Sequence, residues 1–410
     1  MGRHPSPETA FPGAPARWKV LAGGVAVVVL AAACGGRAAP RTAPHPAPRS
    51  SVTLAQVPAS PVQQVPSALD DPVLLGLPRP LIDPAELRSG GPRPDGIPPL
   101  DHPRFQRASE VDWLRPGEPV LAATVNGEDR AYPVQILIWH EIVNDTVGGI
   151  PVAVTYCPLC NTAIAYDRRV GSLVLDFGTS GKLYNSDLVA YDRQTQSLWV
   201  QFLGQAVAGT LTGARLQAYP LSTISWGDWR RNHADGWVLS RDTGYSRRYG
   251  DNPYPGYDDV RASPFLFSGK ADGRLAAMER VVGLDGDGDP VAVDLPALRR
   301  RRVVEVDIAG KAVTVWQMPG TASALADATV AGGPDVGATG AFVPVIDGRV
   351  LHFAPTPDGF KDRETSSTWD ILGHSTGGPL VGRTLPPVLH VDTFWFAWAV
   401  FRPSTRLVSG

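Results

Sequence analysis

Cysteine is scarce: the chain of 410 residues contains three, Cys34, Cys157 and Cys160. That scarcity excludes a multi-disulfide framework, and within one chain it excludes a closed four-cysteine zinc centre. Net charge is nearly absent as well. At −2, with no basic face, the sequence gives no reason to expect a nucleic-acid partner. The cluster Arg299–Arg302 reads as a solvated surface. Long apolar runs are missing too, since the one from Val20 to Leu30 is too short for a comfortable membrane span. What is plentiful is glycine and proline, 43 and 40 residues, which argues against long helices. With 43% hydrophobic and 19% charged residues, the chain can nevertheless bury a sizeable core.

The N-terminus carries an address. Arg17 and Lys19 precede the apolar run, which ends in "AAAC" at Ala31–Cys34. A charged flank, a short apolar stretch and small residues form a secretory signal over residues 1–34. The cysteine after three alanines resembles a bacterial lipoprotein box, in which Cys34 becomes the lipidated first residue. Leu30 departs from that box by standing one place too far upstream. The expectation is an extracytoplasmic protein anchored to the cell membrane. Residues 35–74, rich in Pro, Ala and Ser and without apolar period, read as a solvated tether.

The remainder contains an internal repeat. "NGEDRAYPVQILIWHEIVNDTVGGIPVAV" lies over "DGDPVAVDLPALRRRRVVEVDIAGKAVTV" without a gap, at the constant offset of 161 that carries Gly149 onto Gly310. Downstream, "VLDF" answers "VLHF", "SLWVQFLG" answers "STWDILG", and Trp226 and Trp229 answer Trp395 and Trp398. The repeat implies two related modules, here placed at 75–260 and 261–410. Alternating stretches such as "IPVAVTY" and "KAVTVW" favour half-buried antiparallel strands. Short helices are expected after Pro133 and Pro296. The predicted fold class is therefore mainly β, a β-rich α+β arrangement of two tandem antiparallel modules packed together. Trp199, Trp226, Trp229, Trp369, Trp395 and Trp398 are its expected core.

Candidate chemistry lies in the first module, where "WHEIVND" and "CPLC" stand opposite "RRVVEVD" and "QMPG" of the second. The stretch between the two motifs reads as a hairpin turning at Gly148-Gly149. Pairing outward from Val147 and Ile150 sets Glu141 against Tyr156 and His140 against Cys157. An imidazole beside a thiol lowers the cysteine pKa, which serves either a redox pair or a soft-metal site. For redox, Cys157 and Cys160 would cycle between dithiol and disulfide, with His140 tuning the thiolate and Glu141 orienting His140. For metal, Cys157, Cys160 and His140 would supply three ligands suited to Zn or Cu. A structural envelope protein is the third class. The thioredoxin context is absent, because "NTAIAYDR" reads as a strand after the pair. Three further segments are weaker. "DGDGDPVAVDLP" is a hairpin turn in place of a calcium loop, since Pro296 stands where a Glu is required. "FGTSGKLYNSD" offers Lys182, Tyr184, Asn185 or Asp187 to a pocket wall, and the tyrosine-rich stretch 241–259 offers a lip.

With those residues in view, the chain resembles a bacterial family catalogued as domain of unknown function 3179. The resemblance rests on "WHEIVNDTVGGIPVAVTYCPLCNTA", "DFGTSGKLYNSDLVAYDRQTQSLWVQ", "YGDNPYPGYDD", "ERVVGL" and "FWFAWAVFRP", together spanning Asp112 to Pro403. It implies an uncharacterised family, with relatives in which selenocysteine replaces one cysteine of the pair. That implication favours redox chemistry over passive metal holding. The expected activity is that of a thiol-disulfide oxidoreductase, with an unknown redox or metal partner.

Overall fold

The computed structural model describes residues 66–409 apart from 287. The expected signal, Cys34 and the tether as far as residue 65 lie outside the described residues. The described chain belongs to one compact unit, Gln63–Gly410. Its first described residues join the body at once, with Ser67 and Ala68 buried. No helix among the described residues is long and apolar enough to cross a membrane.

The architecture is mainly β: several antiparallel sheets and four α-helices of seven residues each among the described residues. The strands alternate as the sequence requires. Gly148 and Gly149, at φ +55° and +79°, turn the hairpin that joins Ile142–Val147 to Ile150–Cys157, with Val147 opposite Ile150. Both residues of such a turn need positive φ, which glycine adopts without a Cβ clash.

The repeat is reproduced element by element. Strands Pro119–Val125 and Glu128–Pro133, helix Val134–His140 and strands Ile142–Val147 and Ile150–Cys157 recur as Arg280–Gly286, Asp289–Asp294, Leu295–Arg301, Val303–Ile308 and Lys311–Met318. Even the left-handed residue ending the first helix recurs, Glu141 at φ +60° and Arg302 at +66°. Strand Leu221–Ser225 with helix Trp226–Asn232 corresponds to His390–Phe394 with Trp395–Phe401. Both copies close with a short strand parallel to the second one, Trp237–Leu239 and Arg406–Val408. A further shared device joins them: Asp192 accepts the Trp199 indole N–H at 2.9 Å, and Asp362 accepts that of Trp369 at the same distance.

Packing is reciprocal. Trp226 and Trp229 of the first copy share a core with Trp316, Phe353, Phe360 and Trp369 of the second. Trp395 and Trp398 of the second share one with Trp199 and Phe202 of the first. All six tryptophans expected in the core are buried. Each aromatic side chain of this size, once removed from water, contributes about 1.5–3 kcal/mol. Exchange of helices between the copies is therefore a main source of cohesion. Gly283 lets Trp398 lie flat on its strand, since a Cβ there would come within 2.1 Å of the indole ring. Gly283→Ala is expected to lower stability by about 1–3 kcal/mol through overpacking, read as a lower midpoint in urea; an unchanged midpoint would refute the close fit.

Candidate functional site

The strand Ile150–Cys157 ends at the first cysteine and reverses through Pro158–Asn161 into Thr162–Asp167, with Cys157 opposite Thr162. Asn161, at φ +53°, completes the reversal and donates its backbone N–H to the Pro158 carbonyl at 3.1 Å. Cys160 thus sits within a tight turn, and both thiols are buried and free. The second copy clamps this turn from behind. The Phe394 N–H and the Thr393 hydroxyl each donate to the Cys160 carbonyl at 3.0 Å.

Another tight turn faces the thiols. Asn185 and Ser186 both adopt positive φ, +51° and +68°, joining Phe177–Tyr184 to Asp187–Asp192 in a hairpin with Tyr184 opposite Asp187. Both Sγ atoms point at the Ser186 carbonyl, Cys157 at 3.8 Å and Cys160 at 3.5 Å. Beside it, the Asp187 carboxylate, wholly buried, converges with both thiols: one ligand atom from each of the three residues lies within 4.8 Å of the others. Its Oδ2 accepts the Phe202 backbone N–H at 2.8 Å.

Burial governs the charges here. It pushes the Asp187 carboxyl up to about 7, against the lowering effect of the Phe202 N–H and the cysteines. Burial, and then the Asp187 charge, pushes Glu141 up to about 8. Burial and the neighbouring Cys157 and Asp187 raise the Cys160 thiol well above its ordinary value. Without a cation or a proton acceptor, Cys160 therefore stays a thiol.

A chamber of about 250 Å³ adjoins this cluster. Leu159, from between the cysteines, and Leu188, next to Asp187, form part of its wall, together with Glu141, Tyr254, Tyr257 and Lys182. The Tyr257 hydroxyl donates to the Leu159 carbonyl at 3.1 Å, fixing the cysteine turn to the tyrosine-rich loop.

Of the residues expected to meet, Cys157 and Cys160 do, and His140 does not join them. Strand pairing ends at Ile142 and Thr155, followed by one further bond from the Tyr156 N–H to the Glu141 carbonyl. Glu141 keeps its expected place opposite Tyr156, but its positive φ turns the chain into the helix Val134–His140. His140 is consequently a helical residue. Its Nδ1 lies 2.6 Å from the Pro98 carbonyl and its Nε2 2.6 Å from the Tyr249 hydroxyl. Burial, opposed by the Pro98 bond, lowers its pKa to about 4. The ring is neutral at ordinary pH and occupied at both nitrogens, so it neither tunes a thiolate nor completes the metal-ligand cluster. Glu141 does not orient it; Pro98 and Tyr249 do.

Asp187 takes the place expected of His140. The sequence offered it only as one of four polar candidates for a pocket wall, and its approach to the cysteines depends on contact between two sheets. Lys182 does line the chamber, and the expected lip supplies Tyr254 and Tyr257. In the second copy, Met318 and Arg302 stand where the first has Cys157 and Glu141.

A buried dithiol-carboxylate cluster set in duplicated β-modules defines the class of protein by its parts. The chain belongs to the family described as protein of unknown function, DUF3179, which it matches over residues 94–405. No curated protein and no solved structure matches it significantly.

Proposed function

We propose that Cys157 and Cys160 form a reversible dithiol-disulfide pair with Asp187 as its proton acceptor. The observation that carries this reading is the convergence of both sulfurs with one buried carboxylate within 4.8 Å. Oxidation breaks two S–H bonds and forms one S–S bond, and two electrons and two protons pass to an acceptor. An acid held near neutrality is suited to take the first thiol proton, because it exists in both forms at working pH.

The test is equilibration in dithiothreitol buffers of graded oxidation, followed by alkylation and mass measurement. The reading requires a single transition in which both thiols disappear together, and its loss in Cys160→Ser. A pair that stays reduced throughout would overturn it.

The same convergence favours a second reading, a soft-metal site. Two thiolates and a carboxylate suit Zn or Cu and leave one tetrahedral position open. That reading calls for about one metal ion per chain, lost in Cys157→Ser.

We also infer that the protein is held outside the cytoplasm through lipid on Cys34. Cys34→Ser is expected to move the chain from the membrane pellet to the soluble fraction; an unchanged distribution would contradict lipid anchoring.

A further inference from the structure

We propose that the chamber beside the cysteine pair binds a small monocyclic quinone, which accepts two electrons from Cys157 and Cys160. This inference deepens the redox reading above and rests on it.

Access points to a small molecule. Cys157 and Cys160 are 2% and 0% exposed, so a protein disulfide has no path to either sulfur. The chamber comes next to them, with Leu159 shared between its wall and the cysteine turn. An acceptor that fits inside reaches the pair's surroundings without unfolding the turn.

The lining selects the chemistry. Ile97, Leu183 and Phe265 make the wall largely apolar, and the Tyr254 and Tyr257 rings, 6.4 Å apart, offer aromatic faces. Among the described residues the Glu141 carboxyl has no hydrogen-bond partner, although the residue is 8% exposed and lines the chamber. Its carboxyl oxygens keep some access to solvent, so the group is free to bond a ligand oxygen in the chamber. Glu141, held as the neutral acid at pH 7, can donate to such an oxygen, and Lys182 is a second donor-bearing residue lining the chamber. A para-quinone presents two carbonyl acceptors on a flat apolar ring, which answers both donors. A carboxylate-bearing ligand would instead set its charge beside Glu141 and Asp187.

The step balances. The two S–H bonds break and one S–S bond forms. The quinone takes the electron pair and, with Asp187 passing on the proton it accepts, both thiol protons, so that its two carbonyl oxygens each gain one hydrogen to give the hydroquinone. Asp187 accepts a thiol proton on one side of the boundary, and Glu141 faces the quinone on the other.

The probe is duroquinone, whose methylated ring resists thiol addition. Binding is measured by equilibrium dialysis on the full chain carrying Cys157→Ser and Cys160→Ser, which cannot react, and on oxidised wild-type protein. Turnover is measured anaerobically on reduced wild-type protein. The expected result is saturable binding of one quinone per chain, about tenfold weaker in Glu141→Leu, which has no donor, the change for one lost hydrogen bond. Weaker binding is also expected in Phe265→Ala at the exposed rim, and one hydroquinone should form per disulfide. If the pair cycles in dithiothreitol buffers but neither protein binds duroquinone, or Glu141→Leu binds it as tightly, this inference fails alone. If the pair does not cycle, the redox reading fails and takes the quinone with it.

Discussion

Asp187→Asn is expected to slow oxidation of the reduced pair by roughly 10²- to 10⁴-fold at pH 7, the usual contribution of a positioned proton acceptor. Asparagine preserves the size of the side chain and can still accept the Phe202 N–H, so the turn facing the thiols keeps its shape. What it loses is the capacity to take a proton. Cys160 makes that loss severe, because burial and its neighbours already hold its thiol proton tightly. A pH profile separates this role from a structural one. The titratable groups facing Asp187 are Cys157, Cys160, Glu141 and Tyr166, and no cationic side chain is among its perturbing neighbours. The wild-type rate should rise with pH and level off as Asp187 ionises near 7. The variant should rise only at more alkaline pH, as the thiols ionise unaided. Equal rates and parallel profiles would remove Asp187 from the chemistry.

Asp187 and Glu141 make stability fall as pH rises from about 4 to about 8, opposed below about 6.5 by His140, whose lowered pKa favours the folded state as pH rises, and Glu141→Gln should lessen the fall. The sign follows from linkage. Both acids have folded pKa values above their ordinary ones, Asp187 at about 7 against 3.8 and Glu141 at about 8 against 4.5. Below the ordinary values both states hold the protons and nothing is lost. Between the ordinary and folded values the unfolded chain releases protons that the folded chain retains, which favours unfolding; above the folded values the effect levels off. A tenfold change in an acid's ionisation constant corresponds to about 1.4 kcal/mol. Each carboxyl therefore lowers stability by roughly several kcal/mol across the window, and the two are coupled through their mutual repulsion. Glu141→Gln removes one ionisable group and its repulsion on Asp187. The variant should gain at least about 2 kcal/mol over wild type at pH 8.5, with little difference at pH 4. Denaturant midpoints at the two pH values provide the measurement, and an equal gap at both would disprove the assignment.

Much of the fold was legible because it is written twice. Alternation of apolar residues gave the strands, Gly148-Gly149 gave the hairpin, and the offset between copies gave the pairing of modules, each a local or self-referential signal. The failure at His140 is equally physical. Pairing outward from the glycine turn assumed that the strand ran on through Glu141, whereas the helix after Pro133 reaches His140 and a left-handed residue stands between them. Both expectations were drawn from the same segment, and only one could hold at His140. Asp187 was harder to find. The polar turn at Asn185-Ser186 marks a hairpin, but no local pattern says which turn it faces. That depends on the packing of one sheet against another and on a clamp contributed by Thr393 and Phe394, more than 230 residues from Cys160.

The central claim, a reversible buried dithiol served by Asp187, is tested most directly by determining metal content and thiol state on one gently purified sample. The account predicts two alkylatable thiols, Cys157 and Cys160, that vanish on mild oxidation and return with reductant, in protein holding far less than one metal ion per chain. Thiols that remain reduced under every condition, with a stoichiometric soft metal, would contradict it and leave the metal site standing.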